Sequence, residues 1–154
     1  MPQSTFTALP TVAVFVDGQN INLLKHNQNI LSFAKKQGRI AQLSAYHNWR
    51  QFKIAKAQKL QMAGWLCIDI AGTGKNRLDR ILIHHCQQLC STLNPDVVVL
   101  VTGDKDFLCL VEACQAAGQR VEVLGRQDQV NHCYHRLLPQ GVHYLEGLGM
   151  NAIS

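Results

Sequence analysis

The sequence predicts an α/β fold: a mostly parallel sheet of five or six strands, covered by helices on both faces. Three observations predict it. Short β-branched apolar runs alternate along the chain with segments of helical spacing, the pattern of βαβ units with right-handed crossovers. Two runs, residues 11–16 (TVAVFV) and 97–101 (VVVLV), lack polar alternation and read as strands buried on both faces. No internal repeat or linker-like composition interrupts the 154 residues, a length that suits one core.

Residues 1–10 form a short polar lead-in expected to be mobile, and 11–154 read as one domain. The strand at 11–16 ends in Asp17-Gly18-Gln19-Asn20, a turn sequence. A helix is expected over 21–36, interrupted near 27–29, with Gly38 ending it. A third strand fits 39–46, and one helix fits 49–63 with Gly64 as its C-terminal signal. A further strand at 65–70 leads into the flexible loop Gly72-Thr73-Gly74-Lys75-Asn76. The helix expected over 79–93 stops at Asn94-Pro95, because the residue before proline disfavours the helical conformation. After the strand at 97–101, Thr102-Gly103 ends the extended run and Asp104 occupies an N-cap position for a helix over 105–117. A strand at 120–124, a short helix at 128–138 and an edge strand at 142–145 complete the chain.

Composition narrows the function classes. The chain is 47% hydrophobic and 16% charged, which points to a packed globule and away from disorder. A net charge of +5 favours anionic partners, although charge alone discriminates weakly. No signal peptide is visible at the N-terminus, and no apolar run approaches the roughly 20 residues of a membrane helix. The six cysteines, Cys67, Cys86, Cys90, Cys109, Cys114 and Cys133, fall mostly in apolar stretches and read as free, buried thiols in a reducing cytoplasm. A homodimer is one assembly the sequence leaves open.

The chemistry is carried by carboxylates. Asp17 follows one buried strand, and Asp104 and Asp106 follow another. In open parallel sheets ligands sit beyond the carboxyl ends of the strands, where strand order reverses. If these two strands are neighbours there, three acids converge, and Asp79 at the start of a helix lies on the same side. Two carboxylates one residue apart repel each other unless a cation or hydrogen bonds offset the repulsion. Four acids facing one crevice make an oxygen cage suited to Mg²⁺ or Mn²⁺, ions that activate water and steady in-line displacement at a phosphodiester. The plainer reading is that each acid is an ordinary turn or cap residue, and Asp79 a complement to its helix dipole.

Val14-Phe15-Val16-Asp17-Gly18-Gln19-Asn20, Tyr46-His47-Asn48-Trp49, Gly74-Lys75-Asn76-Arg77-Leu78-Asp79 and Thr102-Gly103-Asp104-Lys105-Asp106-Phe107 resemble the NYN domains of LabA-like proteins, within the PIN-like nuclease superfamily. The likeness spans about 11–145. It implies a Rossmann-like three-layer α/β/α sheet, divalent-metal binding and RNA, single-stranded above all, as substrate. It implies that Asp17, Asp79, Asp104 and Asp106 hold the metal and act as the catalytic acids. Asn20 would orient Asp17 or a metal-bound water, Thr102 would support the loop, and Lys75, Asn76 and Lys105 would face phosphate. One departure stands out: such domains usually carry another acid about two turns into the helix after Asp79, where this chain has His85. The expectation is a metal-dependent ribonuclease; the alternative is an RNA-binding regulatory protein whose site cuts weakly or not at all. A phosphatase of haloacid-dehalogenase type fits worse, since Gln19 stands where a second Asp is needed.

Remaining motifs have plain readings. Cys86 and Cys90 share a helix face, but no Cys-x-x-Cys accompanies them, so core thiols with surface histidines at 84 and 85 are expected; His132, Cys133 and His135 read likewise. Arg50, Lys53, Lys56 and Lys59 recur at helical spacing beside Tyr46, Trp49 and Phe52. The rings are expected in the core, and the cations fit a solvated face and an RNA-binding stripe equally. Gly72-Thr73-Gly74-Lys75 is too short for a P-loop.

Overall fold

The computed structural model describes residues 8–151 except Thr73 and Lys75, with side chains described as far as residue 148. Of the expected mobile lead-in, residues 1–7 lie outside the described residues. In chain order the elements are β1 (Thr11–Asp17), α1 (Leu23–Gln37), β2 (Arg39–His47), α2 (Ile54–Met62), β3 (Leu66–Asp69), α3 (Arg77–Leu93) and β4 (Val97–Val101). They continue with α4 (Leu108–Ala116), β5 (Arg120–Gly125), α5 (Cys133–Leu137), β6 (Val142–Tyr144) and α6 (Leu145–Asn151). The six strands form one sheet in the order β3-β2-β1-β4-β5-β6, every pair parallel.

Side-chain parity along the central strands builds the three layers. Val12, Val14 and Val16 of β1 and Val97, Val99 and Val101 of β4 pack with Ile30 of α1, Leu60 of α2 and Leu145 of α6. Ala13 and Phe15 of β1 and Val98 and Leu100 of β4 face the other way, against Leu82 of α3, Leu110 of α4 and Tyr134 of α5. All five residues of β4 are buried, as an apolar run without alternation requires. Asp17 has the parity of Phe15, and Thr102 that of Leu100. Both side chains therefore belong to the α3/α4 side of the sheet.

Several expected elements differ, each for a local reason. The helix expected over 49–63 is a 3-10 turn at Trp49–Gln51 followed, after extended Phe52 and Lys53, by α2. That break lets the Trp49 indole turn inward and donate to the Ala45 carbonyl at 2.9 Å. The interruption expected near 27–29 is absent: α1 runs through, because Asn27 is buried and accepts the Trp65 indole N–H at 2.6 Å. The helix expected over 105–117 begins as a 3-10 turn, Lys105–Phe107, before α4. The short helix expected over 128–138 is confined to α5, and α6 has no counterpart in the sequence reading.

Candidate active site

Strand order reverses between β1 and β4, the two strands whose ends carry the acids. Their parallel register pairs Val16 with Val101, so Asp17 and Thr102 emerge side by side. Asp17 is 1% exposed. Its Oδ2 accepts from the Asn20 amide at 2.6 Å and from the Thr102 hydroxyl at 3.0 Å. Its Oδ1 is buried with no hydrogen-bond partner. Burial pushes the Asp17 carboxyl above its ordinary range; the Asn20 and Thr102 bonds pull it back, and the charge of Asp104 adds to the rise.

The turn after β4 is equally determined. The Thr102 hydroxyl accepts the Asp104 backbone N–H at 3.2 Å, and Asp104 caps the 3-10 turn by accepting the Asp106 N–H at 3.0 Å. Gly103 passes so close to the next loop that a Cβ there would lie 2.8 Å from the Gln129 carbonyl. Asn131 donates its backbone N–H to the Gly103 carbonyl at 3.0 Å. The Tyr134 hydroxyl donates to the Asp104 carbonyl. Sequence reasoning missed Tyr134: its ring is core, and nothing in its spacing signals that its hydroxyl braces a loop thirty residues earlier.

Asp79 reaches this turn from the first turn of α3, whose buried Leu78 and Leu82 fix the helix against the sheet. One carboxylate oxygen from each of Asp79, Asp104 and Asp106 lies within 4.8 Å of the others. Burial, then the charges of Asp17, Asp104 and Asp106, and a hydrogen bond with Asp106 push Asp79 up to about 7. The fourth acid, Asp17, thus sits beside the trio and acts on it electrostatically while its own Oδ2 is tied down. An acidic cluster of this kind is short of positive charge, and a hard divalent cation fits its all-oxygen donor set.

The other expected site residues divide. Asn20 and Thr102 hold Asp17, as described. Together Asn20, Gly103, Asp104 and Gln129 line a cleft of about 270 Å³. Asn76 is the exposed residue preceding α3 and makes no side-chain cap bond. Lys105 is exposed on the 3-10 turn between the two acids. Lys75 lies outside the described residues. His85 is not part of the acid cluster: its Nδ1 lies 3.2 Å from the Tyr46 hydroxyl, and it lines a separate cavity with Ile68 and Ser44. Tyr46 and Trp49 are core, as expected, while Lys53, Lys56 and Lys59 are exposed and Arg50 pairs with Asp69 at 2.6 Å. Among the cysteines, Cys109 is exposed, against the expectation of burial.

Residues 11–136 match the family profile of the NYN domain. The chain belongs to the NYN domain family. Its fold is that of the crystal structure of a protein of unknown function from Vibrio parahaemolyticus, with a TM-score of 0.71. That match is 19% identical and covers 92% of this chain and 94% of the other. No curated protein matches the chain. NYN domains fall within the PIN-like nuclease superfamily, and the Rossmann-like three-layer sheet agrees with that placement. No described helix is long and apolar enough to cross a membrane.

Proposed function

We propose that this NYN domain is a metal-dependent ribonuclease that hydrolyses phosphodiester bonds of single-stranded RNA. The observation that carries the proposal is the convergence of Asp79, Asp104 and Asp106 at the sheet's switch point, within electrostatic reach of Asp17, one of whose buried oxygens is left without a partner. Asp79, Asp104 and Asp106 would hold Mg²⁺ or Mn²⁺, with Asp17 contributing charge and its free oxygen. When bound, such an ion supplies Lewis-acid activation of water and charge stabilisation at phosphate. Asn20 and Thr102 fix the Asp17 carboxylate so that its unpartnered oxygen is presented without reorganisation. Asp104 holds its own loop by capping Asp106, which keeps two like charges in place before any cation arrives. Lys105, Asn76 just ahead of α3, and Lys75 would contact the flanking phosphates.

A second reading is favoured by one observation. His85, at the position where the family resemblance calls for a further acid, bonds Tyr46 instead of joining the cluster. That would leave a protein that binds RNA in the same crevice and cuts it slowly or not at all. The two readings separate in one assay: labelled single-stranded RNA incubated with Mn²⁺ or Mg²⁺, wild type beside Asp104→Asn. Asparagine retains an oxygen that can cap Asp106, so the fold survives while a negative ligand is lost. The ribonuclease reading expects cleavage by wild type alone. Binding that weakens with salt, without cleavage under either metal, selects the second reading. Equal cleavage by both proteins removes the first.

A further inference from the structure

The α3/α4 side of the sheet holds a second group of donor atoms, unrelated in chemistry to the carboxylates. Cys86 and Cys90 stand one turn apart on α3, and Cys114 comes from α4. Their three sulfurs lie within 4.8 Å of one another. Sequence spacing could not reveal this, because the third ligand comes from another helix. The Cys86 and Cys90 sulfurs are 3.9 Å apart. Two thiolates on one tetrahedral zinc, each at about 2.3 Å, stand about 3.8 Å from each other. The observed separation is therefore already that of two ligands sharing an ion, and far from the roughly 2 Å of a disulfide.

A second, independent observation points the same way. Gln119, just beyond α4, is 6% exposed, and its Oε1 is buried with no hydrogen-bond partner. Gln119 lines a cavity of about 190 Å³ together with Cys90 and Cys114. Thiols alone are easily explained as small core hydrophobes. A buried carbonyl oxygen without a donor is not, because its lost hydration is uncompensated.

We propose that Cys86, Cys90 and Cys114, with the Gln119 side-chain oxygen as fourth donor, form a binding site for a thiophilic cation of the zinc class that bridges α3 and α4. Three sulfur donors select such an ion against Mg²⁺ and Mn²⁺, so the site does not compete with the carboxylate cluster for its cation. On binding, each thiol releases its proton to solvent and its sulfur donates an electron pair to the ion; nothing is oxidised or reduced. The ion ties the helix that carries Asp79 in its first turn to the helix that follows Asp106. It acts as a structural staple behind the acids, distinct from the metal proposed among them.

The test uses the full chain, reduced with a phosphine, stripped of metal and kept in excess Mg²⁺. Titration with Cd²⁺ is expected to raise thiolate-to-metal charge-transfer absorption that saturates at one equivalent. Zn²⁺ should displace that signal and raise the melting temperature. Cys90→Ala and Cys114→Ala should lose the absorption while keeping the wild-type circular dichroism, and Cys109→Ala, at the exposed cysteine, should keep it. Gln119→Ala should weaken Cd²⁺ binding about tenfold. The proposal is overturned if wild type shows no charge transfer. It is equally overturned if the signal persists in the Cys90→Ala/Cys114→Ala double variant.

Discussion

Replacing Asp79 with asparagine should stabilise the metal-free protein at alkaline pH. Burial and the charges of Asp17, Asp104 and Asp106 raise this carboxyl from its ordinary 3.8 to about 7. A carboxyl whose pKa is higher in the folded than in the unfolded state contributes stability that is complete below the unfolded pKa. That stability is lost as pH rises through the folded pKa. The window runs from 3.8 to about 7, with the folded protein binding the extra proton. A shift of about three units corresponds to about 4 kcal/mol undiminished. Asp79 is only half-buried, and solvent screening at such a site leaves about 1–2 kcal/mol. Urea unfolding in EDTA at about pH 5 and about pH 8 measures it. Wild type should lose about 1–2 kcal/mol between them, while Asp79→Asn stays nearly flat and exceeds wild type at the higher pH. Added Mn²⁺ should restore wild type and do far less for the variant. A wild-type profile that is flat across the window, or a variant no more stable than wild type at about pH 8, would refute the electrostatic reasoning.

Three further outcomes follow from named contacts. Thr102→Val removes a donor to Asp17 and the acceptor for the Asp104 N–H; it should lower stability by about 1–3 kcal/mol by urea midpoint, and an unchanged midpoint contradicts the role. Gly103→Ala puts a Cβ 2.8 Å from the Gln129 carbonyl, so it should displace the acid-bearing turn, lower the melting temperature and abolish Mn²⁺ binding by calorimetry. An unaltered binding isotherm counts against that account. If Lys53, Lys56 and Lys59 track an RNA backbone, changing all three to glutamine should flatten the salt dependence of binding by a slope of about 2. An unchanged slope returns them to a solvated face.

What was legible in the sequence, and what was not, has a physical pattern. The central strands were plain because VVVLV and TVAVFV admit no half-exposed strand. The match of Asp17 to Thr102 was implicit in those strands, since a reversal of strand order between β1 and β4 brings their ends together. The break at Phe52 was hidden, because helical spacing cannot show that an indole must turn inward to reach a backbone carbonyl. Asn27 misled for a similar reason: a polar residue suggests an interruption unless a distant Trp65 supplies its partner. α6, with two glycines in seven residues, has little helical propensity of its own; Leu145 packs into the core beneath the sheet. Within the site, the acids announced themselves by position. Tyr134 and the third sulfur of Cys114 did not, because each acts across a long sequence separation that only packing reveals.

The central claim is that the carboxylates at the switch point exist to hold a divalent cation. Anomalous diffraction from crystals soaked in Mn²⁺ tests it most directly. The account predicts a manganese peak bounded by the carboxylates of Asp79, Asp104 and Asp106 beside the free oxygen of Asp17, and its disappearance in Asp104→Asn. Density that stays featureless there at saturating Mn²⁺, or a peak seated elsewhere on the molecule, would contradict it.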